Sequence, residues 1–270
     1  MKDGYIESFD KTKLYYKENY VENPKAAILI VHGLCEHQGR YDYLTKRLND
    51  ENISVLRFDH RGHGRSTEYT KPGYLESYEE MIDDVNYFVD KLIKDNSKVP
   101  CFLLGHSMGG FAVSLFGAKY KDKDLKGIIT SGALTFGHND LFASLPKDLD
   151  NNTILKNQLG DGVCSVKEVV EDYEKDPLNL KEYTFSIANS LKNGLEWFSK
   201  NVFFFDYPVL MLHGEEDALV FYGDTLDFFK NAGSEDKEMK IYGKACHEIY
   251  NEFLKDEVID DTIMWIENRI

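Results

Sequence analysis

The sequence predicts an α/β fold: a mostly parallel sheet with helices on both faces and a helical insertion over the strand ends. Three observations carry this. Continuous apolar runs of strand length alternate with helix-patterned segments through the first half of the chain. One run, Cys101 to Leu104, leads through Gly105-His106-Ser107-Met108-Gly109-Gly110 into an apolar, small-residue-rich run from Phe111 to Ala118, the order strand, sharp turn, helix. The alternation stops near Gly132 and resumes at Pro208. Residues 1–134 and 207–270 are therefore expected to form the core, and residues 135–206 a cap.

The elements follow in order. Residues 5–20 alternate and carry Tyr5, Ile6, Phe9, Leu14, Tyr15 and Tyr16, with Asp10-Lys11-Thr12 as the turn of an antiparallel hairpin. After Pro24, residues 26–31 (Ala-Ala-Ile-Leu-Ile-Val) read as a strand buried on both faces, ending at His32-Gly33. Residues 41–50 read as helix, and Ile53 to Phe58 as a second buried strand. From Ser77 to about Asp95, Met81, Ile82, Val85, Phe88, Val89, Leu92 and Ile93 make one apolar helix face. Ser77 and Glu80 are expected to form a capping box at its start. Lys126 to Ser131 is a further strand. In the insertion no strand is convincing. Ser165 and Glu168 suggest a second capping box, ahead of Val166, Val169, Val170 and Tyr173. A helix from about Glu182 to Lys200 follows, with Phe185, Ala188, Leu191, Leu195 and Phe198 on one side. The sheet resumes at Pro208 to Gly214. A helix near Asp224 to Asn231 and a strand at Met239 to Tyr242 come next. A closing amphipathic helix over 249–268 carries Ile249, Phe253, Val258, Ile259, Ile263 and Ile266.

Composition excludes several roles. With 42% hydrophobic and 13% aromatic residues in 270, the chain can bury a sizeable core. Its 32 basic and 47 acidic side chains give a net charge of −15 with no basic block. Phosphate binding needs clustered Lys and Arg, so no nucleic-acid partner is expected. The acidity also argues against electrostatic docking on anionic membranes. The start lacks a signal-peptide core, and no apolar run reaches transmembrane length. Cys35, Cys101, Cys164 and Cys246 are far apart without a Cys-x-x-Cys, as expected of free thiols in a reducing compartment, by default the cytoplasm.

The chemistry centres on Ser107. Glycine neighbours permit the strained turn that lifts its hydroxyl clear of a sheet, and the next N–H then starts a helix, aimed at developing negative charge. A serine hydroxyl needs a base, and the base needs an acid to hold its tautomer. On folds that carry the serine in such a turn, the chain order is serine, acid, histidine. Three histidines follow Ser107: His138, His213 and His247. His138 precedes the cap, and His213 ends a buried strand. His247 alone follows the next candidate acids and is taken as general base. Those acids are Glu215, Glu216 and Asp217. Asp217 is preferred because Ala218-Leu219-Val220 can bury its surroundings, with Glu216 as the second choice. The oxyanion needs two donors: the Met108 N–H, and the Leu34 N–H from the loop that Gly33 lets turn inward.

Here the residues resemble a known family. The run His32-Gly33-Leu34-Cys35-Glu36-His37-Gln38-Gly39-Arg40-Tyr41 resembles the His-Gly-x-x-Glu-His-x-x-Arg-Tyr signature of monoacylglycerol lipases and lysophospholipases of the α/β-hydrolase superfamily. Asp59-His60-Arg61-Gly62-His63-Gly64-Arg65-Ser66 is similar to their Asp-x-Arg-Gly-His-Gly-x-Ser loop. The turn at Ser107, His213-Gly214-x-x-Asp217 and His247-Glu248 are similar to the remaining sites. The likeness runs from about residue 26 to the end and is weak in the cap, where Asp176-Pro177-Leu178 is the similar piece. It implies an α/β-hydrolase fold with an eight-stranded core and a helical cap. It implies hydrolysis of one acyl chain from a monoacylglycerol or lysophospholipid-type ester through an acyl-enzyme, without metal or cofactor. Lipid contact would be at most peripheral, through the cap. Among the matched residues, Arg61, His63 and Ser66 are expected to pin their loop. Glu36, His37 and Arg40 either orient the oxyanion loop or meet the glycerol end. Phe185 and Leu191 of the cap are expected to meet the acyl chain. Cys35 and Cys246 adjoin the site as small thiols.

Two other readings keep the same residues. An aminopeptidase of proline-iminopeptidase type would need an acidic pocket for a substrate amine, and the cap acids Glu168, Glu171 and Asp172 read as solvated. A binding protein on an inactive hydrolase fold is opposed by the intact set Ser107, Asp217 and His247.

Overall fold

The computed structural model describes residues 2–139, 146 and 149–270. The chain opens with the antiparallel hairpin of β1 (Lys2–Glu7) and β2 (Lys13–Asn19), whose turn places Lys11 at φ 69° while Thr12 N–H donates to Asp10 Oδ1. β3 (Ala26–Val31), α1 (Asp42–Asp50), β4 (Ile53–Phe58), α2 (Tyr78–Asp95), β5 (Cys101–His106), α3 (Met108–Lys119) and β6 (Gly127–Ser131) follow. Then come β7 (Ile154–Lys156), α4 (Lys167–Lys175), β8 (Glu182–Thr184) and α5 (Phe185–Asn201). The chain ends with β9 (Val209–Gly214), α6 (Gly223–Asn231), β10 (Lys237–Tyr242) and α7 (Lys255–Glu267).

Eight strands form one sheet in the order β1-β2-β4-β3-β5-β6-β9-β10, parallel from β4 onward. The apolar strands are buried on both faces because alternate side chains enter two separate cores. Ala27, Leu29 and Val31 pack with residues of α2 and α3, whereas Ala26, Ile28 and Ile30 pack with residues of α1 and α7. α5 closes over α2 and α3, and its Ile187, Leu191 and Phe198 belong to the same core as the sheet. α3 rides unusually close to the strands. A methyl group on Gly109 would overlap the Val31 carbonyl, and one on Gly105 would overlap the Gly109 carbonyl.

Several expectations are corrected. Ser77 stands at the N-cap of α2 but makes no side-chain capping bond, and Glu80 instead pairs with the Arg61 guanidinium at 3.3 Å. The second capping box also fails: the N-cap of α4 is Val166, and Ser165 donates both its N–H and its hydroxyl to Glu252. In both places a tertiary partner outcompetes a local bond. The insertion does contain strands, the antiparallel pair β7 and β8, three residues each and too short for a periodic signal. β8 also takes the first residues expected of the long cap helix. α7 starts later than expected, because residues 248–254 turn back on themselves, and Phe253 is 61% exposed. Of the expected cap, residues 140–145, 147 and 148 lie outside the described residues.

Candidate active site

The carboxyl ends of β3, β5, β9 and β10 converge, the edge where open α/β sheets bind ligands. Ser107 follows β5 with φ 53° and ψ −116°, a conformation L residues avoid, and stands at the N-cap of α3. The backbone holds it there: Ser107 N–H donates to the Ser131 carbonyl at 2.9 Å, and its own carbonyl accepts from Phe111 N–H at 2.8 Å. Met108 N–H is thereby at the first turn of α3, one of the donors a helix leaves free.

The loop after β9 carries Asp217 inward while Glu215 and Glu216 face solvent. Asp217 Oδ2 lies 2.6 Å from His247 Nδ1 and 3.0 Å from His213 Nε2, and its Oδ1 accepts from the N–H groups of Leu219 and Val220 at 2.9 Å each. Burial alone would raise this carboxyl. The charge of His247 and the hydrogen bonds from His213 and His247 outweigh it, holding Asp217 well below the ordinary carboxylate range. For His247, burial would lower the ring, but the charge and hydrogen bond of Asp217 dominate, helped by Glu248 and Glu36, and raise it above its ordinary value of 6.5. His213 is a buried support. Its Nε2 also faces the Val220 carbonyl at 2.8 Å, which can only accept, so that nitrogen bears a proton, and Nδ1 lies 2.7 Å from Thr225 Oγ1. Among the described residues no hydrogen bond joins Ser107 to the His247 ring, although both line one chamber. Such bonds often tighten only when substrate is bound.

Gly33 brings the loop after β3 against Ser107: a methyl there would stand 3.1 Å from Ser107 Cβ. His32 Nδ1 lies 2.8 Å from the Gly33 carbonyl, and its Nε2 accepts from His60 N–H at 2.9 Å. Because the peptide is planar, fixing the Gly33 carbonyl points the Leu34 N–H the opposite way. Burial holds His32 well below the ordinary histidine range, so it keeps this neutral tautomer.

Glu36, 3% exposed, accepts through its carboxylate from Gly33 N–H and from Tyr41 OH at 2.7 Å. Arg40 bridges Glu36 Oε2 at 3.2 Å and Glu248 Oε2 at 2.5 Å, and stacks on the Tyr173 ring at 4.9 Å. Burial would lower the guanidinium, but Glu248 and Glu36 raise it and keep it charged. His37 Nε2 reaches Asp176 Oδ2 at 2.9 Å. These three motif residues therefore tie the loop after β3 to the histidine loop and to the cap. Arg61 is bidentate to buried Asp84 at 2.7 and 2.8 Å, and Ser66 bonds the Asp59 carbonyl and Tyr15 N–H. Cys35 is buried, and Cys246 is half-buried.

The chamber encloses about 10 Å³, room for about one water molecule. Gly33, Leu34, Glu36, His106, Ser107, His247 and Glu248 form its floor, and Leu159, Val163, Tyr173 and Leu219 its roof. Phe185 and Leu191 are buried on α5 and do not line it. The sequence named Glu248 only as the motif neighbour of His247, without a role, and did not single out Val163 or Leu159. Glu248 had a signal, its place beside His247, but the two cap residues had none. A larger cleft of about 510 Å³, between Tyr20–Pro24 and Asp95–Val99, lies at the opposite strand ends. No helix among the described residues is long and apolar enough to cross a membrane.

Comparison with known proteins gives the family. The Hydrolase_4 family, described as serine aminopeptidase S33, matches residues 22–253. The chain is 29% identical over 255 residues to a monoacylglycerol lipase of Mycolicibacterium smegmatis, covering 92% of this chain and 90% of that one. It is 30% identical over 258 residues to the monoglyceride lipase of Homo sapiens, covering 91% and 84%. A soluble variant of monoglyceride lipase from Saccharomyces cerevisiae, solved with a substrate analogue, superposes with a TM-score of 0.86 at 25% identity, covering 98% and 94%. The chain therefore belongs to the Hydrolase_4 family of α/β-hydrolases and is a serine hydrolase.

Proposed function

We propose that the chain hydrolyses monoacylglycerols or closely related single-chain esters through an acyl-enzyme. His247 takes the proton of Ser107, which attacks the ester carbonyl. The N–H groups of Leu34 and Met108 hold the oxyanion. His247 then protonates the departing alcohol, and an activated water releases the fatty acid. Asp217 fixes the imidazole tautomer and stabilises its charged form. The observation that carries this is the 2.6 Å contact of His247 with Asp217 at a chamber that Ser107 also lines. The similarity to monoacylglycerol lipases over nine-tenths of the chain supports the substrate class.

Residues 135–206 are read as the cap. An ester does not fit in 10 Å³, so the roof of Leu159, Val163 and Tyr173 parts from the floor when substrate enters. An aminopeptidase is disfavoured, because the two acids at the chamber, Glu36 and Glu248, are already engaged by Arg40. Four cysteines without a disulfide suit a reducing compartment, and we assign the protein to the cytoplasm, which cell fractionation tests.

The deciding experiment is a turnover panel of monoacylglycerols, lysophospholipids, short soluble esters and an aminoacyl amide, run on the native chain and on Ser107→Ala. Each buried methylene is worth about 0.8 kcal/mol, so kcat/KM should climb with acyl length until the pocket is full. Ser107→Ala should lose ester turnover and fluorophosphonate labelling while still folding. Turnover surviving in that variant overturns the assignment, and preference for the amide overturns the substrate class.

A further inference from the structure

We propose that Glu252 is a positioning residue for His247, clasping the cap segment 163–165 to the loop that carries the base. The proposal rests on His247 acting as that base. Glu252 is 1% exposed, and among the described residues no Lys or Arg side chain is bonded to its carboxylate. Its carboxylate is instead filled by neutral donors from two separate pieces of chain. Oε1 accepts from Cys246 N–H at 3.1 Å and from Ser165 N–H at 2.6 Å, and Oε2 accepts from the Ser165 hydroxyl and from Phe253 N–H at 3.3 Å. Cys246 is the residue before His247. The residue after it, Glu248, donates its N–H to the Val163 carbonyl of the cap at 2.7 Å.

The bonds therefore close a ring. From Val163 it runs along the cap to Ser165, across to Glu252, on to Cys246, through His247 to Glu248, and back to Val163. The base is held on both flanks, and on both flanks the cap is one end of the tether. Val163 also roofs the chamber above Ser107. A substrate that lifts the roof pulls on the ring that orients the imidazole, so cap position and base position are one mechanical coordinate. A carboxylate suits this role because its two oxygens accept several donors at once.

The test is a cycle on Glu252 and Ser165, with a short soluble ester as substrate and the full chain as enzyme. In Glu252→Gln the amide oxygen can keep the Cys246 and Ser165 N–H bonds, and its NH₂ can donate to the Ser165 hydroxyl after that hydroxyl turns. Kcat should fall by less than about 3-fold, because the bonds to Cys246 and Ser165 survive and only the long Phe253 N–H bond at 3.3 Å is lost. Ser165→Ala alone keeps the Ser165 N–H bond and should behave likewise. The double variant leaves the amide NH₂ facing the Phe253 N–H with no acceptor, so the amide turns out of its buried place and the two N–H bonds that close the ring are lost with it. Its kcat should fall by about 10²-fold, the usual cost of roughly 1 Å of misplacement, with KM changed less than kcat. The low-field His247 Nδ1–H proton resonance should broaden or shift in the double variant only. A double variant that folds, keeps native kcat and keeps that resonance overturns the proposal. So does a loss confined to melting temperature, and so does a double variant too unstable to fold when either single variant already changes kcat without touching the resonance. Ser107→Ala in parallel separates the two levels: if it retains turnover the assignment of the site fails, whereas native kcat in the double variant alone sinks only the clasp.

Discussion

Ser107 is held in a strained backbone conformation. Its φ of 53° with ψ −116° has no comfortable basin for an L side chain, a cost of order 1–3 kcal/mol for such conformations. Ser107→Gly should therefore unfold at higher denaturant, by about 1 kcal/mol after the entropy that glycine adds to the unfolded chain, while losing all turnover. A variant less stable than the parent would show that no strain is stored there. Asp217 governs the pH profile. His247 must be neutral to accept a proton, and its raised value places the acid limb of kcat/KM above 6.5, with activity lost as pH falls through it. Asp217→Asn removes the largest raising influence and leaves burial, which lowers the ring. Its acid limb should move to lower pH while kcat falls by about 10⁴-fold, the cost of the wrong tautomer in comparable triads. A pH–rate profile of both proteins checks the sign.

At the scale of elements, the loop after β4 shows why motif residues need not touch substrate. Arg61 leaves that loop to grip Asp84 on α2, which is fully buried, and Ser8 Oγ adds a bond to the same carboxylate at 2.6 Å. Arg61→Ala would strand that carboxylate without its cation, and unfolding by denaturant should register a loss of about 3–5 kcal/mol. Kcat per folded molecule should change far less. The same ion cluster explains the failed capping box: Glu80 is drawn to Arg61, so the start of α2 is left to the backbone. The cap elements were least legible. β7 and β8 have three residues each, and they exist because Tyr183 and Leu155 pair across a tertiary crossing that no local pattern announces.

Over the whole molecule, the sequence determined the strands β3, β4, β5, β6 and β9, because burial on both faces demands unbroken apolar runs and little else produces them. It determined the turn at Ser107, because glycines at 105 and 109 are required where α3 touches β3 and β5. Chain order singled out Asp217 and His247, and the packed chain brings their side chains to 2.6 Å. Tertiary structure alone decided what surrounds them. The Arg40 bridge to Glu248 joins residues 208 positions apart and the Glu252 clasp on Ser165 residues 87 apart, while the support of Asp217 by His213 and the roof of Leu159 and Val163 are likewise set by packing. The physical reason is one of range. Backbone propensity and burial period act over a few residues and leave a local mark in composition, whereas a buried polar group is satisfied by whichever donor the fold delivers, and that choice exists only once the chain has packed.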